Sequence, residues 1–441
     1  MRVAIIGAGL AGLRAAALLE ERGATVEVFE ASDRLGGRLW TARPHPGIAY
    51  EAGGEWIDHD HLRIQRLLED MGHPARPAPM PDGWVDLEGE RVSRSALWAD
   101  ARDAETVLAA TASDLCRDLR ATGWEGPQAA AANHQSLAAF LDRLSISRRG
   151  RAWLDVLLRS DEGHDLDQVG LLGWLFGFEK YVDREGGEAS ALALPMPGEC
   201  LVAALAAQIR GPIQRRAALR LVECDGRGAL WLTFETGPQC FDRMVCTVPP
   251  TALGALRLPG LSEHKQRAIC GYGASLVLKV ALAFERPWWE AHPSGGRTWS
   301  DGLLQQTWAP VQAEGPVLIA YVCGWRAAHL RTDPVRMAHT ELVQRFPEAQ
   351  AGFLGGWVHD WQATPFVGLA HEHLRTGLGP RHLTEAARPV GSMHFAGTWT
   401  AGWHGFLEGA LESAERVVDE IIEAEELRHA GTRTADSSRV L

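Results

Sequence analysis

The chain has 441 residues, 46% hydrophobic and 23% charged, which describes a folded globular protein too long for one simple core; two or three domains are expected. Its net charge of −12 argues against nucleic acid or an anionic membrane as a main partner. Its seven cysteines are odd in number and form no CxxC pair, so neither a zinc site nor a disulfide framework is expected, and a reducing cytoplasm suits the chain.

The N-terminus opens directly on an apolar strand, Val3-Ala4-Ile5-Ile6, with no charged leader, so no signal peptide is expected. The strand runs into Gly7-Ala8-Gly9-Leu10-Ala11-Gly12, then a helical stretch to about Arg22 and a second strand, Val26 to Phe29, ending at Glu30. Gly7 suits a tight turn, Gly9 lets backbone N–H groups approach a pyrophosphate, and Gly12 lets helix pack on strand. The helix start favours phosphate, and Glu30 can accept hydrogen bonds from a ribose 2′-OH, which disfavours NADP. NAD and FAD both fit this segment alone.

Glycines recur in Arg34-Leu35-Gly36-Gly37-Arg38 and in Glu51-Ala52-Gly53-Gly54-Glu55-Trp56-Ile57. Pro74, Pro77, Pro79 and Pro81 mark a break, with helices expected around 103–121, 136–144 and 148–159, and a second break at Pro195 and Pro197. Beyond Val248-Pro249-Pro250, strands are expected at 275–284, 316–323 and 355–361, with a helix at 334–346. His394 to Ala410 combines a short strand, a glycine-rich turn and the start of a helix carrying Leu411, Ala414, Val417, Val418 and Ile421 on one stripe. Residues 431–441 read as a polar, frayed tail. No apolar stretch reaches the ~18 residues of a membrane span. His59, His61, His164, His359 and His394 show no metal-ligand spacing, so no metal is expected.

Only three of the 44 basic residues are lysines, and Lys279 interrupts the apolar run Ala274–Phe284. As a strand, this run puts Leu276, Leu278, Val280, Leu282 and Phe284 on an ordinary core face. Ser275, Val277, Lys279, Ala281 and Ala283 make a shallow face that suits a flat object. A lysine snorkelling to water and a functional lysine both fit the run alone.

Several segments resemble FAD-dependent flavoprotein amine oxidases of the monoamine oxidase and L-amino-acid oxidase type, over essentially the whole chain and most weakly between about 75 and 195. The carriers are E-x-x-x-R-x-G-G-R at Glu30 to Arg38, the double-proline strand at Asp242–Pro250, K-V-A-L-A-F-E-R-P-W-W from Lys279, Trp361 with Pro365-Phe366-x-Gly368, and His394–Ala410. The resemblance implies an α/β fold: a Rossmann-like, glutathione-reductase-like FAD domain from 1–73, 196–268 and 388–430, with an inserted α+β substrate domain from 74–195 and 269–387. It implies FAD contacts from Gly7, Gly9, Gly12, Glu30, Gly37, Arg38, Gly54, Glu55, Trp56, Ala218, Trp361, Gly397, Thr398 and Leu407, with Lys279 holding a water at flavin N5. Glu55 could instead meet a cationic amine.

The family's two cage tyrosines are replaced by Phe406 and His371. Ala370 stands where some relatives attach flavin through cysteine, so non-covalent FAD is implied. Trp399 replaces an acidic residue; it either joins Phe406, His371 and Phe366 as a pocket candidate or, like Trp403, packs beneath the cofactor. The implied reaction is oxidation of an aromatic or hydrophobic amine or amino acid to an imine, its hydrolysis, and reoxidation of the flavin by O₂ to H₂O₂. The partners are a small amine and O₂; the oligomeric state is left open, a homodimer being one option. A C–C desaturase of the same fold and a catalytically silent flavin protein are the alternatives; an NAD dehydrogenase leaves the C-terminal segment unexplained.

Overall fold

The computed structural model describes residues 1–78, 81–183, 191–226 and 228–437, without the side chains of 429–437. The chain forms two compact units: Met1–Gly37 with Glu199–Ile269 and Leu383–Leu441, and Arg38–Gly198 with Cys270–His382. The later junctions fall within a few residues of the expected ones, but the first comes at 37/38 instead of 73/74. The reason is tertiary: the strand Ile48–Glu51 and the loop after it contribute to the core and hydrogen bonds of the second unit.

The first unit is built on a five-stranded parallel sheet in the order 213–214, 25–29, 2–6, 243–246, 393–395. The strand Arg2–Ile6 is buried from Val3 on, which explains its unbroken apolar run: a central parallel strand is covered on both faces. The helix Leu10–Glu21 presents Leu13, Ala16, Ala17 and Leu19 to the interior. The C-terminal helix Leu407–Ser437 buries Leu411, Ala414, Val417, Val418 and Ile421, as its periodicity predicts. This helix extends through most of the expected polar tail; residues 438–441 lie outside the described residues.

The second unit contains a seven-stranded sheet in the order 353–360, 277–284, 317–323, 306–308, 298–300, 84–87, 90–93. The strand Val277–Phe284 is buried at every position between two antiparallel neighbours. Leu278, Val280, Leu282 and Phe284 share a core with Leu318, Val322 and Phe346. On the other face Ala281 and Ala283 lie among Tyr50, Trp308, Ile319, Trp40, Trp56 and Trp357. The small side chains of the shallow face thus receive the chain's own indoles.

The expected helices appear as Ala99–Thr122, Leu137–Leu141, Arg148–Glu162 and Pro334–Arg345. Four short strands (84–87, 90–93, 298–300 and 306–308) were not predicted, because three or four residues are too few to show a period.

Candidate functional site

In the first unit the candidate cofactor residues gather at the carboxyl ends of parallel strands, the place where open α/β sheets bind ligands. Gly7 follows Arg2–Ile6, Glu30 follows Thr25–Phe29, and Thr247 follows Arg243–Cys246; Gly397 comes two residues after Met393–Phe395. The Thr247 hydroxyl donates to Ile6 O (2.9 Å) and Gly7 O (3.2 Å), fixing the turn where Gly7 has φ +105°. A Cβ on Gly12 would sit 2.0 Å from Gly7 O, so only glycine lets the helix start so close to the strand. Gly37, at φ +57°, brings its backbone against Gly9: a Cβ there would stand 3.2 Å from Gly9 Cα.

The buried Glu30 carboxylate accepts from the Ala8 and Ser32 backbone N–H groups, both at 2.8 Å. The segment after Gln214 runs beside it, with Ala217 N–H donating to Glu30 O at 2.8 Å, which places half-buried Ala218 next in line. No side chain caps the helix start at Gly9. Open N–H groups, a side-chain-free cradle and an acid at the strand end fit a dinucleotide pyrophosphate and its ribose.

Gly397 N–H donates to the Ser413 hydroxyl (2.9 Å), while the Glu412 carboxylate accepts from Gly402 N–H (2.9 Å) and Trp403 N–H (3.1 Å), pinning the turn before the long helix. Thr398 is buried and Leu407, the first residue of that helix, half-buried. Trp399 is corrected as a pocket residue: it is wholly buried, packed against Gly397, and has no face to offer a substrate. Phe406 is 38% exposed and has such a face.

In the second unit Lys279 is buried but does not snorkel. Its ammonium donates to Glu51 O (2.8 Å), Gly53 O (3.0 Å) and Glu55 Oε1 (3.0 Å), and its Nζ lies 5.6 Å from the centre of the Trp308 ring. The three donors of the ammonium therefore all meet protein oxygens. Glu55, expected as a cofactor or amine contact, is the lysine's ion-pair partner. Burial pushes the Glu51 carboxyl upward, although the Thr41 hydroxyl and Gly198 N–H bond its Oε1.

The Trp361 indole donates to Ala52 O at 3.0 Å, and its ring meets Trp40 and His359 edge-on. Arg38 donates to Glu372 (2.7 Å) and to Ala370 O (3.2 Å), and its carbonyl accepts from exposed Gly54 N–H at 3.2 Å. Trp56 is half-buried, edge-on to Trp308.

Tyr321 is the cross-strand neighbour of Lys279, and burial raises its phenol well above the ordinary value. Asp161 lies close enough to act on it. At the end of the helix Arg148–Glu162, burial and then Asp58 raise Asp161 to about 6; burial and then Asp161 raise Glu162 to about 8. Asp161 keeps accessible surface, so a small molecule can reach it. Among the described residues no cation lowers either carboxyl. His371 packs on Gly163, immediately after this pair; its backbone N–H donates to Ser275 Oγ (2.9 Å), and burial lowers its imidazole. Phe366 is 50% exposed on a loop at φ +62°. Sequence reasoning missed Asp161, Glu162 and Tyr321; an acid in an acidic chain carries no local mark of lacking a cation.

Fold and site together define a flavin-dependent oxidoreductase with its dinucleotide cradle in one unit and a buried lysine in the other. A family model described as flavin containing amine oxidoreductase matches residues 10–422, and the chain belongs to that family. FAD is its cofactor. The chain is 23% identical over 467 residues to amine oxidase [flavin-containing] B of Canis lupus familiaris, covering 96% of this chain and 86% of the relative. It is likewise 23% identical over 460 residues to amine oxidase [flavin-containing] A of Sus scrofa, covering 96% and 85%. Among solved structures it resembles cyclohexylamine oxidase from Brevibacterium oxydans IH-35A (TM-score 0.85, 21% identity, 96% of this chain and 99% of that one). Putrescine oxidase bound to putrescine matches at TM-score 0.84 and 21% identity, over the same shares. Among the described residues no helix is long and apolar enough to cross a membrane.

Proposed function

We propose that this protein oxidises a small primary or secondary amine to an imine, which water hydrolyses to a carbonyl compound and ammonia or an amine. The flavin, when bound, accepts the hydride equivalent and passes the electrons to O₂, giving H₂O₂. The observation that carries this reading is the buried Lys279 beside an aromatic face, in a chain whose first unit has the FAD cradle. Gly7, Gly9, Gly12 and Gly37 would hold the pyrophosphate, and Glu30 the ribose, while Ala370 leaves FAD non-covalent.

Asp161, ionised above about 6 and with no cation among the described residues lowering it, would draw the amine in as its ammonium ion. The aromatic residues around Trp308 and Tyr321 favour an apolar or aromatic substituent on that amine. Lys279 would supply a fixed positive charge while oxygen gains electrons, a role that needs no free N–H group. Because all its donors are engaged, a water-holding role requires one of those bonds to exchange.

Anaerobic mixing of the yellow protein with a panel of amines tests the reading: bleaching of the flavin band, followed by peroxide in air, is expected. A protein that binds FAD and is bleached by no amine would overturn it. Lys279→Met should keep FAD and slow reoxidation at least tenfold, on the order of one lost charge interaction of ~1.4 kcal/mol or more; an unchanged oxidative half-reaction refutes the lysine's role.

A further inference from the structure

Glu55 stands out for how its two carboxylate oxygens are placed. One oxygen accepts from Lys279 Nζ at 3.0 Å; the other, Oε2, is buried and has no hydrogen-bond partner among the described residues. Side-chain exposures are 7% for Lys279 and 3% for Glu55, so water screens the pair little. The two backbone carbonyls that complete the ammonium's shell, Glu51 O and Gly53 O, come from the same turn as Glu55.

We propose that Glu55 is the positioning residue of Lys279: it keeps the ammonium charged and anchored to the Glu51–Glu55 turn, so that the lysine presents a permanent cation during reoxidation. This rests on the flavin-oxidase reading above.

The geometry separates Glu55 from Glu51, the other acid nearby. Glu51 reaches the ammonium through its backbone carbonyl, while its side chain turns to Thr41 and Gly198. Burial favours the protonated form of Glu51, and the Glu55 charge adds to that effect. Among the described residues, the register partners of Lys279 on its two flanking strands are His359 and Tyr321, and burial keeps the half-buried Tyr321 phenol from ionising. Glu55 is therefore the anion that the ammonium depends on.

The chain's composition makes the test direct, because lysine labelled with ¹³C at Cε gives three signals, from Lys180, Lys265 and Lys279. Titration of the FAD-bound enzyme by NMR reads the charge of Lys279 without any turnover. In Glu55→Gln the Lys279 signal should titrate about 1–3 pH units lower than in the parent chain, the usual effect of an opposite charge within 4–6 Å. Glu55→Asp, which keeps the charge, should restore most of the shift. It also carries the test if the Gln variant fails to hold FAD.

Stopped-flow reoxidation should show the same displacement: the Gln variant loses its reaction with O₂ at lower pH than the parent, while flavin reduction by amine keeps its profile. A Lys279 signal that titrates identically in the parent, Gln and Asp chains overturns the proposal. So does a Gln variant whose loss of reoxidation is independent of pH. If no amine reduces the flavin, the oxidase reading fails, yet the NMR titration still judges the ion pair.

Discussion

Lysine 265 provides a stability test in which two opposing effects can be compared. It is 1% exposed, and its ammonium donates to Glu385 O (3.0 Å), Ala386 O (2.9 Å) and Arg388 O (2.6 Å), capping the end of the helix Pro380–Ala387. It also lies 4.0 Å from the centre of the Phe395 ring, on the strand that leads to Gly397. Burial lowers its pKa to about 8. Measured against the ordinary ~10.4, that is about 3 kcal/mol of destabilisation borne by the charged form at neutral pH. Lys265→Met removes this cost but leaves three buried carbonyls without donors, at roughly 1–3 kcal/mol each.

The orphaned carbonyls outweigh the relief, so a net loss of about 3 kcal/mol is expected at pH 7. The corresponding fall in Tm is roughly 3 °C for a chain of 441 residues. The sign with pH follows from linkage. Between about pH 8 and ~10.4 the folded lysine has lost a proton that the unfolded chain retains, so stability of the parent rises across that window relative to the variant. Calorimetry of both FAD-bound proteins at pH 7, 8.5 and 10 reads this as a widening gap. A variant as stable as the parent at pH 7, or a gap that narrows above pH 8, would refute the reasoning.

Two further predictions concern the cradle and the unpaired acids. Gly12→Ala places a Cβ 2.0 Å from Gly7 O, a backbone atom that cannot yield cheaply, so FAD affinity should fall by at least about tenfold; flavin titration followed by fluorescence measures it, and wild-type affinity would contradict the close approach. The Glu162 carboxyl, raised to about 8, holds its proton more tightly in the folded chain than in the unfolded one between ~4.3 and that value. The parent should therefore lose stability as pH rises through this window, and Glu162→Gln should lose less. Melting curves at pH 5 and pH 8 check it, and parallel losses in both chains would remove the claim.

Much of the cofactor cradle was legible in the sequence because its physics is local. Gly7, Gly9, Gly12 and Glu30 lie within thirty residues, and each does its work through a turn, a helix start or a strand end that neighbouring residues dictate. Lys279 was legible as an anomaly, a rare lysine in an apolar strand, but its environment was not: Glu55 lies 224 residues away, and only the packed sheet brings them to 3.0 Å.

The same limit explains the other surprises. Trp399 reads as a pocket residue by position, yet packing on Gly397 removes its whole surface. Asp155 and Asp161 share one helix; Asp155 meets Arg151 and Arg159, while no cation among the described residues lowers the Asp161 carboxyl. The sequence by itself determined the glycine-rich strand–turn–helix that makes the candidate dinucleotide cradle, the family and the peculiarity of one lysine, because those depend on short-range backbone geometry and composition. Tertiary structure decided which charges are neutralised and which rings are hidden, because desolvation and pairing depend on neighbours brought in from distant parts of the chain.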